Sequence, residues 1–307
     1  MQMESEVNAE SAGTPKQIAQ SLNVTGQRHL LERLVDGLSL PEFLYHYTSP
    51  GGLHGILRSR SIWATDVRFL NDAKEAQYAT EIVKARIKAK SSEFPRDLER
   101  RWNRALAVAS ETRVYVTCFS MEGDSLSQWR AYAKAGYALG FATPSLAETA
   151  RNQSVRTHLL PCIYSSQSQI EQVDYMLDYL SDQHRGAVAS GHLEPVSLHA
   201  HEASFYGFVM ILSASFKHPK FKDEKEWRLV QVLRDVEAGK AGRQVRDGGR
   251  WLVPYRSVHL HEPCLREIVI GPSPHRDLAT ESVRILVDEE GIECEGYRPS
   301  EIPYRDW

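Results

Sequence analysis

The chain has 307 residues, of which 42% are hydrophobic and 25% are charged, as in an ordinary globular protein. This length is enough for one large domain or two of typical size, with a core that needs no disulfide or metal to stabilise it. The formal net charge of -3 excludes the strongly basic surface of a general nucleic-acid binder. The four cysteines are widely spaced without a CxxC pair, which argues against a structural zinc site and favours a reducing compartment.

The beginning of the sequence is polar and rich in small residues. Residues 1–25 show no apolar periodicity, which predicts a disordered leader, and their glutamates do not fit a signal peptide. No run of about 18 consecutive apolar residues occurs, so we expect no membrane-spanning helix. We therefore expect a cytoplasmic protein in which residues 26–307 form a single domain, since no repeat or long linker divides them.

The first third of this domain is predicted to be mainly helical. Apolar residues at helical spacing indicate a helix that ends near Pro41, and a short strand follows at 43–45. A helix over 50–59 begins in a glycine-rich turn, and a short extended segment surrounds Trp63. Two amphipathic helices are then predicted within 75–110.

The rest of the chain alternates between strands and helices. Strands are predicted at 114–120, 136–142, 157–165, 226–233, 250–257, 266–274 and 292–298, with helices over 125–134, within 168–218, and over 278–290. Residues 247–249, Asp-Gly-Gly, suit a hairpin turn. This order of elements indicates an α+β fold with a mostly antiparallel sheet.

The run LYHYT at 44–48 places His46 and Thr48 on one face of a short strand, because alternate side chains of a strand share a face. A histidine and a hydroxyl at this position, just before a Gly-Gly turn, are able to line a cleft. Taken alone, the pattern more often means a half-buried histidine bonded to a backbone carbonyl in a packed sheet.

A dense set of charges precedes the strand near residue 226. If that strand begins near Glu224, then Glu224, Glu226 and Arg228 share one face. Carboxylates beside an arginine suit a structural ion-pair ladder, or a site that stabilises positive charge developing in a substrate. For an isolated DEKEWR motif, a solvated strand end is the more ordinary interpretation.

Three further side chains have ordinary structural roles when taken singly. Trp129 and Tyr132 are three residues apart and face one side of the predicted helix, where core packing is more common than ligand stacking. Asn71 is placed to cap the helix that follows it.

Signatures of several common enzyme classes are absent. The sequence has no GxxxxGK[ST] phosphate loop, GxGxxG fingerprint, GxSxG elbow or HExxH pair. The HxH pairs at 199/201 and 259/261 lack a third ligand with diagnostic spacing, so no metal is expected.

Taken in chain order, the motifs resemble an uncharacterised bacterial family of unknown function whose motif order is similar to the ADP-ribosyltransferase fold. The motifs are LYHYTS, SIWATDVRFLNDAKE, CFS, SLSQWRAYA, GYALGF, FKDEKEWRLV and IVIGP, spanning roughly residues 43–300. The resemblance implies an α+β fold with a split, mostly antiparallel β core of ADP-ribosyltransferase type and a cleft that holds NAD. The helical segments near 75–110 and 168–218 are then large insertions.

The resemblance also implies roles for single residues. In these transferases a histidine on the first core strand bonds the ribose next to adenine, which corresponds to His46, with Tyr47 and Thr48 beside it. A glutamate that opens a later core strand binds the nicotinamide ribose, which corresponds to Glu226, and Glu224 completes an ExE arrangement. The candidate catalytic residues are therefore Glu226, Glu224 and His46.

A wider set is expected to contact NAD as the substrate. It comprises His46, Tyr47, Thr48, Ser120, Trp129, Tyr132, Asn71 and Arg228. Cys118-Phe119-Ser120 occupies the place of the STS motif of these families but has cysteine at the first position.

Cleavage of the nicotinamide glycosidic bond passes through an oxocarbenium-like state, so a carboxylate near the sugar is most valuable in the transition state. We expect an NAD-dependent ADP-ribosyltransferase-like enzyme that modifies a macromolecule, protein or nucleic acid, in bacterial conflict, as a toxin or in antiphage defence. One alternative is an NAD glycohydrolase with water as the acceptor. The other is a nucleotide-sensing or interaction module without turnover, which the missing STS motif favours.

Overall fold

The computed structural model describes residues 33–35, 38, 40–70, 75–108, 113–133, 136–191, 195–233, 242–261 and 263–303. In this part of the chain, ten strands form one sheet. They are β1 (Phe43–Thr48), β2 (Ser61–Asp66), β3 (Arg113–Ser120), β4 (Tyr137–Ala142), β5 (Thr157–Pro161), β6 (Glu226–Leu233), β7 (Arg243–Asp247), β8 (Leu252–His259), β9 (Leu265–Ile270) and β10 (Gly296–Pro299).

Most strand pairs are antiparallel, and β10 pairs in parallel with β9. The main path through the sheet is β10-β9-β4-β1-β3-β2-β8-β7, and β6 joins β3 to β5.

The helices are α1 (Pro50–Ser59), α2 (Glu75–Ala89), α3 (Arg96–Val108), α4 (Thr143–Arg151), α5 (Ser166–Ala189), α6 (Pro195–Ser215) and α7 (Arg276–Glu289). A short helical turn, Leu126–Gln128, continues into a π-helical turn, Trp129–Ala133.

Strand β3 contacts three other strands. Along one edge it pairs with β6 over its full length. Along its other edge, within the described residues, β1 reaches it at the Tyr45–Ser120 pair, and β2 reaches it at two pairs, of which one is Thr65–Val116. Strands β1 and β2 therefore diverge from each other and leave a gap beside residues 117–119.

Helices cover both faces of the sheet. On one face, α2, α3, α5 and α6 form a layer in which Trp102 and Phe205 pack with sheet residues such as Val230. On the other face, α1, α4 and α7 pack against the sheet through residues such as Leu146 and Val283. Removal of this apolar surface from water, at about 25 cal/mol per Å², is the main favourable contribution to folding.

The predicted α+β class with a mostly antiparallel sheet is confirmed. The segments near 75–110 and 168–218 contain α2 with α3, and α5 with α6, respectively. These four helices form one layer that shares a core with β3, β5 and β6. The predicted leader, residues 1–25, lies outside the described residues.

Several segments differ from the sequence prediction, among them β7, which lies where no strand was predicted. Helix α4 was not predicted, although Pro144 in its first turn, with Leu146 and Ala150 four residues apart, is a helix signal. The last strand is shorter than predicted and begins at Gly296, because its pairing with β9 extends only over 296–299.

The strand with the charged motif begins at residue 226, as predicted, and not near Glu224, where the two glutamates would have shared a face. Strand β6 starts at Glu226, whereas Glu224 ends a 3-10 turn, Pro219–Glu224. Lys225 between them has φ = 44°, a left-handed conformation that interrupts strand geometry. Glu224 and Glu226 therefore do not share a face through strand alternation. No helix in the described residues is long and apolar enough to cross a membrane.

We predict that Trp102→Ala lowers the free energy of unfolding by about 3–5 kcal/mol, because it leaves a cavity in the helical layer. Trp102 is buried, and its ring stacks on Phe205 with centroids 5.4 Å apart. Urea denaturation followed by circular dichroism measures the change. The control Leu278→Ala removes a side chain that is 72% exposed and should have little effect. Equal midpoints for both variants would show that the layer does not contribute to the core.

Candidate functional site

A cavity of about 570 Å³ lies beside β3, in the gap where β1 and β2 diverge from each other. This volume falls within the range of small-molecule sites in proteins. Its lining includes residues of β1, β2, β3 and β6, of the turns at 126–133 and 219–224, and of β7. The gap in the sheet thus gives the cavity access to side chains from both faces.

A buried ion cluster forms one wall of the cavity. Arg228 donates from Nε to Glu226 Oε1 at 2.7 Å and from Nη2 to Oε2 at 3.1 Å. Lys217 Nζ donates to the same carboxylate, and also to Glu224 Oε2 at 2.5 Å. Lys217 and Glu226 are each 5% exposed, and Arg228 is 1% exposed. Two cations and two carboxylates balance one another in this cluster, which satisfies the requirement that buried charges be paired.

The cluster changes the protonation equilibria of its members. Burial favours the neutral form of Glu226, but Arg228 and Lys217 outweigh it and lower the pKa of this carboxyl to about 2. Burial likewise opposes the charge of Lys217, yet Glu226 and Glu224 hold its pKa above the usual value. Glu226 and Lys217 are therefore both charged at neutral pH.

Backbone contacts hold the cluster at the junction of α6 and β6. Lys217 lies two residues beyond the end of α6, and Arg228 Nη1 donates to the Ala214 carbonyl in the last turn of that helix at 3.0 Å. This bond satisfies one of the carbonyls that a helix end leaves without an intrahelical partner. The amide of Glu226 donates to the Tyr164 hydroxyl at 2.9 Å. These bonds hold Arg228 and Glu226 of β6 against the end of α6 and against Tyr164.

His46 occupies the gap between β1 and β3. Its Nδ1 lies 2.9 Å from the Cys118 carbonyl oxygen, and its ring meets Phe119 edge-on at 5.9 Å. Burial lowers the pKa of His46, although the bond to Cys118 opposes this. The neutral ring therefore carries its proton on Nδ1, and Nε2 is left as a hydrogen-bond acceptor.

Two predicted contact residues line the cavity but have their hydroxyls engaged elsewhere. Tyr47 donates to the Glu122 carbonyl at 2.7 Å and accepts from the Ser125 amide at 3.0 Å. Ser120 donates to the Glu224 carbonyl at 2.8 Å and accepts from the Glu122 amide at 3.1 Å. Both hydroxyls therefore position the loop at the end of β3 rather than projecting free into the cavity.

Two other predicted contact residues lie outside the cavity lining. The Thr48 hydroxyl lies so close to Gly52 that a Cβ atom at position 52 would collide with it. Trp129 is fully buried, with Nε1 donating to Asp124 Oδ1 at 2.6 Å and its ring 4.7 Å from Tyr47. Asn71 lies outside the described residues.

Three aromatic rings at the cavity remain accessible to a ligand. Tyr132, Phe221 and Trp63 are each more than a third exposed and belong to the lining. The Tyr132 hydroxyl lies 3.5 Å from Glu224 Oε1. Exposed aromatic faces around a polar cavity are suited to stacking on planar groups. The predicted residues that the structure brings together here are thus His46, Tyr47, Ser120, Tyr132, Glu224, Glu226 and Arg228.

Sequence reasoning missed Lys217, Trp63, Phe221 and Arg246. A signal for Lys217 was present, because two glutamates beside one arginine leave an unbalanced negative charge that a second cation must neutralise if the site is buried. Lys217 lies between the apolar helix and Pro219, close to both glutamates in sequence. Within the described residues, no three His, Cys, Asp or Glu side chains are grouped closely enough to hold a metal.

We predict that Lys217→Met lowers the free energy of unfolding by about 3–5 kcal/mol, because it leaves buried negative charge without compensation. Chemical denaturation at pH 7 measures this. The matched control is Lys225→Met, since Lys225 pairs with Glu122 at the exposed surface and such pairs contribute little. Similar denaturation curves for Lys217→Met and wild type would contradict the burial of the cluster.

The low pKa of Glu226 predicts a specific acid sensitivity. A carboxyl whose pKa is lower in the folded state stabilises the fold above its unfolded pKa, and this contribution is lost as the pH falls. Between pH 4.5 and about 2, wild type should therefore lose more stability than Glu226→Gln, which has no titrating group there. Denaturation midpoints across this interval provide the comparison, and parallel pH profiles would contradict the ion pairing.

Comparison with known proteins gives a match over part of the chain. Residues 128–229 match the model of a family described as "Protein of unknown function (DUF2971)". This stretch includes Lys217, Glu224, Glu226 and Arg228, and it excludes His46. No curated protein and no solved structure matches the chain. The expected likeness to a family of unknown function is confirmed over these residues.

Proposed function

We propose that the cavity binds NAD and cleaves the bond between nicotinamide and ribose, as in the ADP-ribosyltransferases that the motifs resemble. The observation that carries this proposal is the convergence of His46 and Glu226 on one cavity. They lie far apart in the sequence, on β1 and β6, and both strands pair with β3 next to the cavity. A split β core with this pair at its centre is the arrangement that the resemblance implies.

The cleavage step assigns a role to each polar group. The C–N bond breaks with its electron pair going to nicotinamide, which leaves as a neutral molecule, while the ribose carbon becomes oxocarbenium-like. In this proposal His46 Nε2 accepts a hydrogen bond from a ribose hydroxyl, and the carboxylates of Glu224 and Glu226 stabilise the developing positive charge. A nucleophile on the acceptor then bonds to the ribose carbon and releases its proton.

The two glutamates differ in accessibility, which separates their roles. Both oxygens of Glu226 are bound by Arg228 and Lys217, so this carboxylate is held rigidly and its charge is largely balanced. The side chain of Glu224 is 18% exposed and lies beside the exposed Tyr132. In the proposed mechanism Glu226 therefore holds the sugar in place besides contributing negative charge, and Glu224 faces the incoming acceptor.

The balanced charge of Glu226 also favours a second candidate function. A carboxylate neutralised by two cations stabilises positive charge less than an unpaired one, because the cations oppose it. A module that binds a nucleotide without turnover needs only the cavity and its aromatic rim. Turnover of NAD separates the two candidates.

We predict that the purified chain releases nicotinamide from NAD and that Glu226→Gln slows this at least about 100-fold, since one electrostatic contact to a transition state is worth 10²–10³ in rate. Chromatographic assay of nicotinamide measures the release. The matched control is Glu148→Gln, because Glu148 pairs with Arg151 on α4 and does not line the cavity. Equal rates for wild type and Glu226→Gln would overturn the catalytic assignment.

Radiolabelled NAD added to a cell extract distinguishes the acceptors. A label on protein or nucleic acid supports the transferase, and nicotinamide release without a label supports the hydrolase alternative. Binding of NAD by calorimetry without any nicotinamide release would instead support the binding module. No binding of NAD would overturn the transferase and the hydrolase, and no binding of ADP either would overturn the binding module.

A further inference from the structure

Arg246 is a third cation in the cavity lining, and neither carboxylate of the ion cluster pairs with it. The lining contains Lys217, Arg228 and Arg246 among its cations and Glu224 with Glu226 as its carboxylates. The first two cations pair with the two glutamates. Within the described residues, no carboxylate lies at ion-pair distance from Arg246. The positive charge of this guanidinium is therefore not balanced by a carboxylate of the lining.

The β-sheet register places Arg246 on the cavity side of β7. Arg246 lies opposite Val253 of β8, and its neighbour Gln244 lies opposite Tyr255, which in turn pairs with Thr65 of β2. Directly opposed residues in an antiparallel sheet share a face. Arg246 and Thr65 therefore project from the same side of the sheet, and both line the cavity.

Aromatic packing holds the guanidinium in place. The guanidinium carbon of Arg246 lies 5.8 Å from the centre of the Trp63 ring, and Nη2 reaches Thr65 Oγ1 at 3.5 Å. Trp63 itself packs on Tyr255 with ring centroids 4.5 Å apart. The group is thus oriented before a ligand arrives, which lowers the entropic cost of binding.

The surroundings of Arg246 favour an anion. The side chain is half-buried, and its Nε is buried without a hydrogen-bond partner in the described part of the chain. A cation removed from water needs a counter-charge or hydrogen-bond acceptors, and a guanidinium suits the paired oxygens of a phosphate. The exposed rings of Tyr132 and Phe221, elsewhere in the same cavity, suit the planar base of a nucleotide.

We propose that Arg246 and Thr65, supported by Trp63, form a subsite that binds a phosphate group of a nucleotide held in the cavity. This subsite rests on the proposed function, which identifies the nucleotide as NAD. It would hold the diphosphate of NAD between Thr65 of β2 and Arg246 of β7. Sequence motifs gave no role to any of the three residues.

Calorimetric titration of the full chain with NAD and, separately, with ADP tests the subsite. Arg246→Gln should weaken binding of both ligands about 10- to 100-fold, the loss expected for one hydrogen-bonded charge. Arg246→Lys should lose less, because it retains the charge without the paired donors. The matched control is Arg243→Gln, which removes the same charge from an exposed side chain on the opposite face of β7 and should leave both affinities unchanged. Thermal unfolding of each variant verifies that the hairpin is intact.

The outcomes separate this inference from the proposed function. Equal affinities of wild type and Arg246→Gln for NAD and ADP, or equal losses in Arg246→Gln and Arg243→Gln, overturn the subsite and leave the proposed function standing. Binding of ADP that depends on Arg246, without cleavage of NAD, supports the subsite and overturns the proposed enzyme. Failure of wild type to bind either NAD or ADP overturns both.

Discussion

The burial of one carboxylate constrains much of this molecule. Glu226 is almost fully removed from water, and a lone buried charge would cost several kcal/mol, so the fold must bring cations to it. Arg228 comes from the same strand, but Lys217 comes from the end of α6. The helical layer and the sheet are therefore joined by charge as well as by apolar packing. Any movement of α6 relative to β6 would separate opposite charges in a medium of low dielectric constant.

The second constraint is the incomplete pairing of β3. Within the described residues, β3 pairs fully on one edge but only at residues 115–116 and 120 on the other, which leaves backbone groups that need partners. His46 supplies one of them by bonding the Cys118 carbonyl. The same bond fixes which ring nitrogen faces outward, so a structural requirement of the sheet also determines the chemistry that the histidine offers to a ligand.

The sequence predicted the class of the fold well, because alternating and helical apolar patterns report local structure directly. It also singled out His46 and Glu226, which line the cavity, because short motifs mark the strands that carry them. It could not reveal Arg246, since the role of this residue depends on the register of a hairpin. For Lys217 the only signal was indirect, namely the charge that two glutamates beside one arginine leave unbalanced. Nor could it show that Trp129 is buried, because helical spacing specifies a face without specifying what covers it.

Cys118 shows how the ion cluster limits the reactivity of its neighbours. This cysteine lines the cavity, where a thiolate would be a strong nucleophile and a target for oxidation. Burial, and then the negative charge of Glu226, raise the pKa of its thiol well above the usual value. We therefore expect the sulfur to stay protonated at neutral pH and to react slowly with electrophiles and oxidants. The chain thus carries a cysteine in its cavity without acquiring a redox liability there.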